Sequence, residues 1–181
     1  MLYSIGIAEL KSIAKGVEAC DEALKSAGVT IVAAQPSCPG KYEIILTGQI
    51  SDVQVAIDRI KANYDKYVID AVRLGRVDQR VIKALMGAPA QAPKGALGII
   101  ETFSGASAIQ AADAAIKAAS VEIMDLRISR GMGGKSFVML TGHVGDVTAS
   151  VEAGSNYAKA QGLLTGTTVI ASPHEDLWRY L

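Results

Sequence analysis

The chain has 181 residues, 50% hydrophobic but only 5% aromatic, with 18 basic and 18 acidic side chains and zero formal charge. That length holds two domains of ordinary size, and the balanced charge argues against a nucleic-acid or anionic-membrane partner, which would favour a basic surface. Two cysteines are too few for a disulfide scaffold, no apolar run approaches the length of a membrane span and no secretory signal precedes the first strand, so a reducing, cytoplasmic setting is expected.

In chain order, Leu2–Glu9 is β-rich and alternating and reads as a strand. Over Ser12–Ala27, apolar Ile13, Val17, Cys20, Leu24 and Ala27 recur at helical spacing and define one face, with Gly28 as the stop. Val29–Ala34 and Tyr42–Thr47 read as strands. Between them, the prolines of Gln35-Pro36-Ser37-Cys38-Pro39-Gly40 exclude that stretch from a regular ladder. Asp52–Tyr64 is a helix with Val53, Ile57, Ile60 and Tyr64 on its inner side, Tyr67–Leu74 a strand and Asp78–Leu85 a short helix. Residues 87–95 form a Gly-, Ala- and Pro-rich linker, so the domains span 1–86 and 96–181. Beyond it come a strand at 96–102, a helix at 105–119, strands at 121–129 and 136–141, a helix at 146–160 and a strand at 163–170. Ser172, Pro173 and Glu175 resemble a capping box that opens a terminal helix over Pro173–Tyr180.

The second half repeats the first. Ile5-Gly6-Ile7-Ala8-Glu9 returns as Leu97-Gly98-Ile99-Ile100-Glu101, and Asp21-x-x-x-Lys25-x-Ala27-x-Val29 as Asp113-x-x-x-Lys117-x-Ala119-x-Val121, both offset by 92 (98 − 6; 113 − 21). Gly40-Lys41 matches Gly134-Lys135 and Thr47-Gly48 matches Thr141-Gly142, offset by 94 (134 − 40; 141 − 47). Each copy is βαββαβ, so the fold class is α+β: two tandem ferredoxin-like domains, each an antiparallel sheet with both helices on one face and the other face free. The mean hydropathy of +0.27 is high for two small water-exposed domains, which places apolar surface between domains or subunits.

The doubled Gly-x-x-Glu strand, the Asp-x-x-x-Lys-x-Ala-x-Val helix ends and the Gly-Lys after the second strand resemble the bacterial microcompartment shell-protein domain in its unpermuted order. Two such domains in one chain resemble the tandem shell proteins that form trimers shaped like a hexamer. Ser37-Cys38-Pro39-Gly40-Lys41, with Pro173-His174-x-x-Leu177-Trp178-Arg179, resembles the type found in propanediol-utilisation compartments. The resemblance implies a non-enzymatic homotrimeric tile that meets other shell proteins at its edges and lines a central pore with loops. It carries no nucleic-acid or membrane partner. It also implies an iron–sulfur cluster, [4Fe–4S], shared by three subunits through one cysteine each, here Cys38, and serving electron transfer across the shell or cluster delivery to encapsulated redox enzymes.

The residues weigh on this as follows. Cys38 lies at a loop tip among Ser37, Pro39 and Gly40, whereas the equivalent loop holds Gly131, Met132, Gly133 and Gly134 and no cysteine. One thiolate cannot hold a cube that takes four ligands; threefold symmetry would supply three. A free loop cysteine beside a plain metabolite pore is the alternative. Cys20 falls on a helix face where the other copy has Ala112, the pattern of a small core residue. Lys25 and Lys117 close equivalent helices, where a cation favours the helix terminus; the resemblance puts them on the lateral edge. The family's basic residue before the terminal Pro-His is Ser172 here, which leaves Arg76 as the lateral candidate in the first copy. His143 replaces Gln49 after Thr-Gly, a polar turn role, and His174 is local to the terminal helix. No triad or paired-ligand spacing supports a hydrolase or metalloenzyme. The glycine-rich loop lacks a phosphate-loop context, and Arg59, Lys61, Arg73 and their acidic neighbours form a solvated mixed face. An enzyme or ligand-binding regulator on the same fold is the third reading.

Overall fold

The computed structural model describes residues 3–88, 94–128 and 131–181, so Leu2, most of the predicted linker, Ser129 and Arg130 lie outside the described residues. The chain divides into two compact units. One comprises residues 1–77 with Ser104–Ala106 and Ser129–Lys135; the other comprises Asp78–Phe103, Ser107–Ile128 and Ser136–Leu181.

The first unit contains β1 (Tyr3–Leu10), α1 (Ile13–Ser26), β2 (Val29–Ser37), β3 (Lys41–Gly48), α2 (Ile50–Tyr64) and β4 (Val68–Val77). Its sheet is antiparallel in the order β2-β3-β1-β4. Gly6 lets α2 settle on the sheet, because a Cβ there would lie 2.6 Å from Ile57 Cγ1. Val53, Ile57, Ile60 and Tyr64 of α2 are buried, as their spacing predicts.

Helix α1 departs from its predicted face. Gly16, Ala19, Cys20 and Ala23 are buried, while Ile13, Val17 and Leu24 are exposed. The cause is Tyr42: a Cβ at Gly16 would lie 2.3 Å from Tyr42 Cβ, so the small-residue side alone can approach the sheet. The larger aliphatic stripe is turned outward. The helix ends at Ser26 with Ala27 extended (φ −158, ψ 163), so the stop is not a left-handed glycine at Gly28.

Strand β2 runs further than expected. Pro36 pairs with Tyr42 and Ser37 with Lys41, so the proline sits inside the ladder. It is accommodated because β2 is an edge strand, where a missing N–H need not break a pairing on both sides. Only Cys38-Pro39-Gly40 turns, with a cis Cys38–Pro39 bond and Gly40 at φ +72. The face away from the helices is not free in this unit: Ile5, Ile7, Ile45 and Val72 are all buried.

The second unit contains α3 (Gln79–Leu85), β5 (Ala96–Thr102), α4 (Gly105–Ala118, whose first turn counts with the first unit), β6 (Val121–Arg127), β7 (Ser136–Gly142), α5 (Val144–Ala160) and β8 (Leu164–Ile170). Sheet order is β6-β7-β5-β8, the same topology. Helix α3 folds with this unit: Asp78 caps it, accepting from Arg80 N–H at 2.9 Å, and Arg80 reaches Val121 O at 3.1 Å. The Arg80 guanidinium holds the Asp78 carboxyl below its ordinary range. The chain ends in a 3-10 turn, Glu175–Arg179, rather than an α-helix from Pro173. Its cap is His174, whose Nδ1 accepts from Asp176 N–H at 3.2 Å, and not Ser172.

Candidate functional site: a buried carboxylate seam and a cysteine turn

Alternation along β1 puts Gly6 and Ala8 toward the helices and Glu9 on the opposite face. Glu9 is fully buried. Its Oε2 accepts from Lys41 Nζ at 2.7 Å, and its Oε1 accepts from Ala106 N–H at 3.0 Å and from Ser104 Oγ at 3.2 Å. Ser104 Oγ also lies 2.7 Å from Asp70 Oδ2. The register sets Glu43 and Asp70 beside Glu9 on β3 and β4, so three buried carboxylates share one row. Ala106 is the second residue of α4, where unpaired amides and the positive end of the helix dipole favour an anion. A buried carboxylate therefore caps a helix that begins 96 residues later (105 − 9).

The same unit holds the cysteine turn. Cys38 is a free, half-buried thiol between β2 and β3. Gly134, at φ +90, packs against it: a Cβ there would lie 2.6 Å from Pro39 Cδ and 3.2 Å from Cys38 O. Any other residue at 134 would push the loop off the turn. Gly131 and Gly133 also take positive φ, at 70 and 62. Among the described residues, no group of three or more His, Cys, Asp or Glu could hold a metal ion.

The remaining predicted residues are dispersed. Lys25 bonds Asp21 at 2.5 Å on the exposed end of α1, and Lys117 bonds Asp113 at 2.5 Å on α4. Asp113 also accepts from Asp78 N–H at 3.1 Å, so Lys117 is tied into the start of α3, while the Lys25 bond to Asp21 stays within its own helix. Arg76, the one non-glycine at positive φ (56) among the described residues, bulges out of β4 where the register to β1 jumps from Leu74 to Val77. His143 and Gln49 occupy the same N-cap position in α5 and α2, neither bonding the helix through its side chain. Cys20 is buried on α1, and desolvation raises its thiol pKa, followed by the charge of Asp21.

Sequence reading missed the Glu9 seam. The signal was present in the doubled Gly-x-x-Glu and Gly-Lys, which pair in space across β1 and β3. The repeat also exposes a contrast. Ser104, Gly105, Ala106 and Ile109 are buried, whereas Ser12 is half-buried and Ile13, Ala14 and Val17 are exposed. Glu9, Lys41, Ile7 and Ile45 are buried, whereas Glu101, Ile99 and Met139 are half-buried and Lys135 is exposed.

The matched halves, the Gly-x-x-Glu strand that opens each and the tight loop after the second strand are those of one known domain. The sequence matches the BMC domain twice, over residues 4–77 and 96–173. The chain belongs to the BMC-domain family of bacterial microcompartment shell proteins. It is 39% identical to the bacterial microcompartment shell protein PduT of Citrobacter freundii over all of this chain and 98% of that protein. It is 28% identical to the carboxysome assembly protein CcmO of Synechococcus elongatus, covering 96% of this chain and 67% of that one. Among solved structures, a microcompartment protein from Desulfitobacterium hafniense superposes with a TM-score of 0.84 at 44% identity, covering 99% of both chains. A fused permuted hexameric shell protein from the RMM microcompartment, at 20% identity and a TM-score of 0.65 over 88% of this chain and 85% of that one, shares the fold. No helix among the described residues is long and apolar enough to cross a membrane.

Proposed function

We propose that three copies of this shell protein close head to tail into a pseudohexameric tile whose axis carries an iron–sulfur cluster on Cys38. The observation that carries the ring is the complementary burial of the repeats. The surface around residues 104–106 is buried while Ile13 and Ala14 of its counterpart are exposed, and Glu9 is buried while its counterpart Glu101 is only half-buried. Two unlike, complementary patches on one molecule make a heterologous contact, which closes into a ring when the rotation allows. Burial of exposed Ile13 and Val17 supplies the driving force.

Closure would set the two kinds of loop alternately about the axis, as Gly134 already sits on the Cys38 turn within the first unit. One chain lacks a ligand set among its described residues, and three thiols satisfy three of the four sites of a [4Fe–4S] cube. Bound, the cluster would supply one-electron exchange across the shell. The chain's part is to hold each thiol on a short turn braced by Gly134 and to leave the fourth iron to a non-protein ligand. Lys25, Lys117 and Arg76 would face neighbouring shell proteins, and encapsulated redox enzymes would be the electron partners or recipients of the cluster.

Light scattering on the purified chain tests the ring: a mass near three times 18.9 kDa is expected, and a stable monomer refutes it. Anaerobic reconstitution tests the cluster. Broad visible absorbance with bound iron and sulfide, lost in Cys38→Ser, is expected; equal absorbance in the variant refutes Cys38 as the ligand, and a wild type without absorbance leaves a plain pore.

A further inference from the structure

We infer that Glu101 is the latch of the contact between chains, accepting the Ala14 N–H at the start of α1 of a second copy as Glu9 accepts the Ala106 N–H within one chain. This rests on the head-to-tail reading above and names the groups that hold it together.

The first argument is the repeat itself. Glu101 is the counterpart of Glu9 and Ala14 of Ala106, both at the offset of 92 (101 − 9; 106 − 14), and the Glu9–Ala106 bond is formed at 3.0 Å. The second is the state of α1. Its first intrahelical bond runs from Gly16 N–H to Ser12 O at 2.9 Å, so the Ile13 and Ala14 amides precede the ladder. Ser12 Oγ accepts from Lys15 N–H at 3.3 Å, which caps the third amide of the helix and leaves its own proton to donate. Ala14 is exposed. The third is Glu101. Only half-buried, it accepts from Thr165 Oγ1 at 3.2 Å through Oε2. Lys135 stands in the sequence place of Lys41 and is exposed. A second copy's α1 arriving on this face would bring helix amides to Glu101.

The two latches differ in chemistry. Glu9 is flanked by Glu43 and Asp70, whereas Glu101 is flanked by Phe137 and Gly166. Ser104 has a second acceptor in Asp70; Ser12 would meet Gly166 at that place and Glu101 alone. The contact between chains therefore relies on one carboxylate, set beside an aromatic ring.

Sedimentation velocity over a concentration series, on the full chain, tests this with Glu101→Ala and Glu101→Gln. Leaving the partner's amides unsatisfied at the seam should weaken trimerisation at least about tenfold in Glu101→Ala. Hydrogen exchange on the wild-type trimer gives a reading free of any folding defect: the Ala14 amide should be protected to the degree of Ala106. A wild-type trimer with freely exchanging Ala14, or a Glu101→Ala trimer of undiminished affinity, overturns the latch and leaves the ring reading standing. A wild-type chain that stays monomeric overturns the ring reading and the latch with it.

Discussion

The two repeats carry the same Gly-x-x-Glu and Gly-Lys signatures, yet their glutamates live in different surroundings. Glu9 is buried with Lys41 and capped by Ser104 and Ala106, beside Glu43 and Asp70. Glu101 is half-buried with Thr165, beside Phe137 and Gly166. The contrast teaches that the motif specifies a receptor for a helix start, and that burial depends on whether a helix start is present. The helices repeat the lesson: Val17 is 52% exposed and its counterpart Ile109 not at all.

Breaking the buried pair should have the largest effect. Lys41→Ala removes the cation from a carboxylate with no route to water, and unfolding by denaturant should show a loss of about 3–5 kcal/mol. Lys135→Ala in the isolated chain should cost under about 0.5 kcal/mol, as for an exposed surface residue; equal losses would erase the distinction between the repeats. Next come the helix seats. Gly16→Ala drives a methyl into Tyr42 and should cost about 1–3 kcal/mol. The counterparts in the second copy are Ala108 and Ser136, both buried, and Ala108→Gly should cost about 1 kcal/mol by helix propensity.

Asp78 sharpens the comparison at its junction. Asp78→Ala should lower stability by about 1 kcal/mol through loss of the α3 cap. Its folded-state pKa lies below the ordinary value of 3.8. The unfolded chain therefore takes up this proton first, so the contribution is complete above the ordinary carboxylate range and fades as pH falls through the folded value. Unfolding midpoints of wild type and Asp78→Asn should converge in acid. The smallest effect on stability belongs to Cys38→Ser, within about 0.5 kcal/mol, even though that change should abolish reconstituted absorbance.

Much of the architecture was legible in the residues. Alternation and 3.6-residue spacing located the elements of both copies, and the inner side of α2 is buried as its spacing predicts, whereas β1 is buried on both faces. The misjudged parts share a cause. Periodicity finds an apolar stripe on α1 but cannot tell which side meets the sheet; Tyr42 decides that, from a strand 26 residues away (42 − 16). Pro36 reads as a breaker until the strand is known to lie at the edge. The terminal turn was misread because His174 supplies the cap two residues beyond Ser172. At the site, Cys38 stood out by its loop and by the silence of its counterpart. Glu9 did not, because a glutamate in a strand reads as a solvent-facing residue unless its partners, far off in sequence, are known.

Pro36 has one more consequence. An outermost strand offers its spare amides and carbonyls to any strand that drifts alongside, the usual route by which sheets fuse end on end. A proline in that position removes one donor from the row. For a microcompartment shell protein this is a safeguard: an edge short of one donor is less apt to pair with a foreign strand and grow into a fibre.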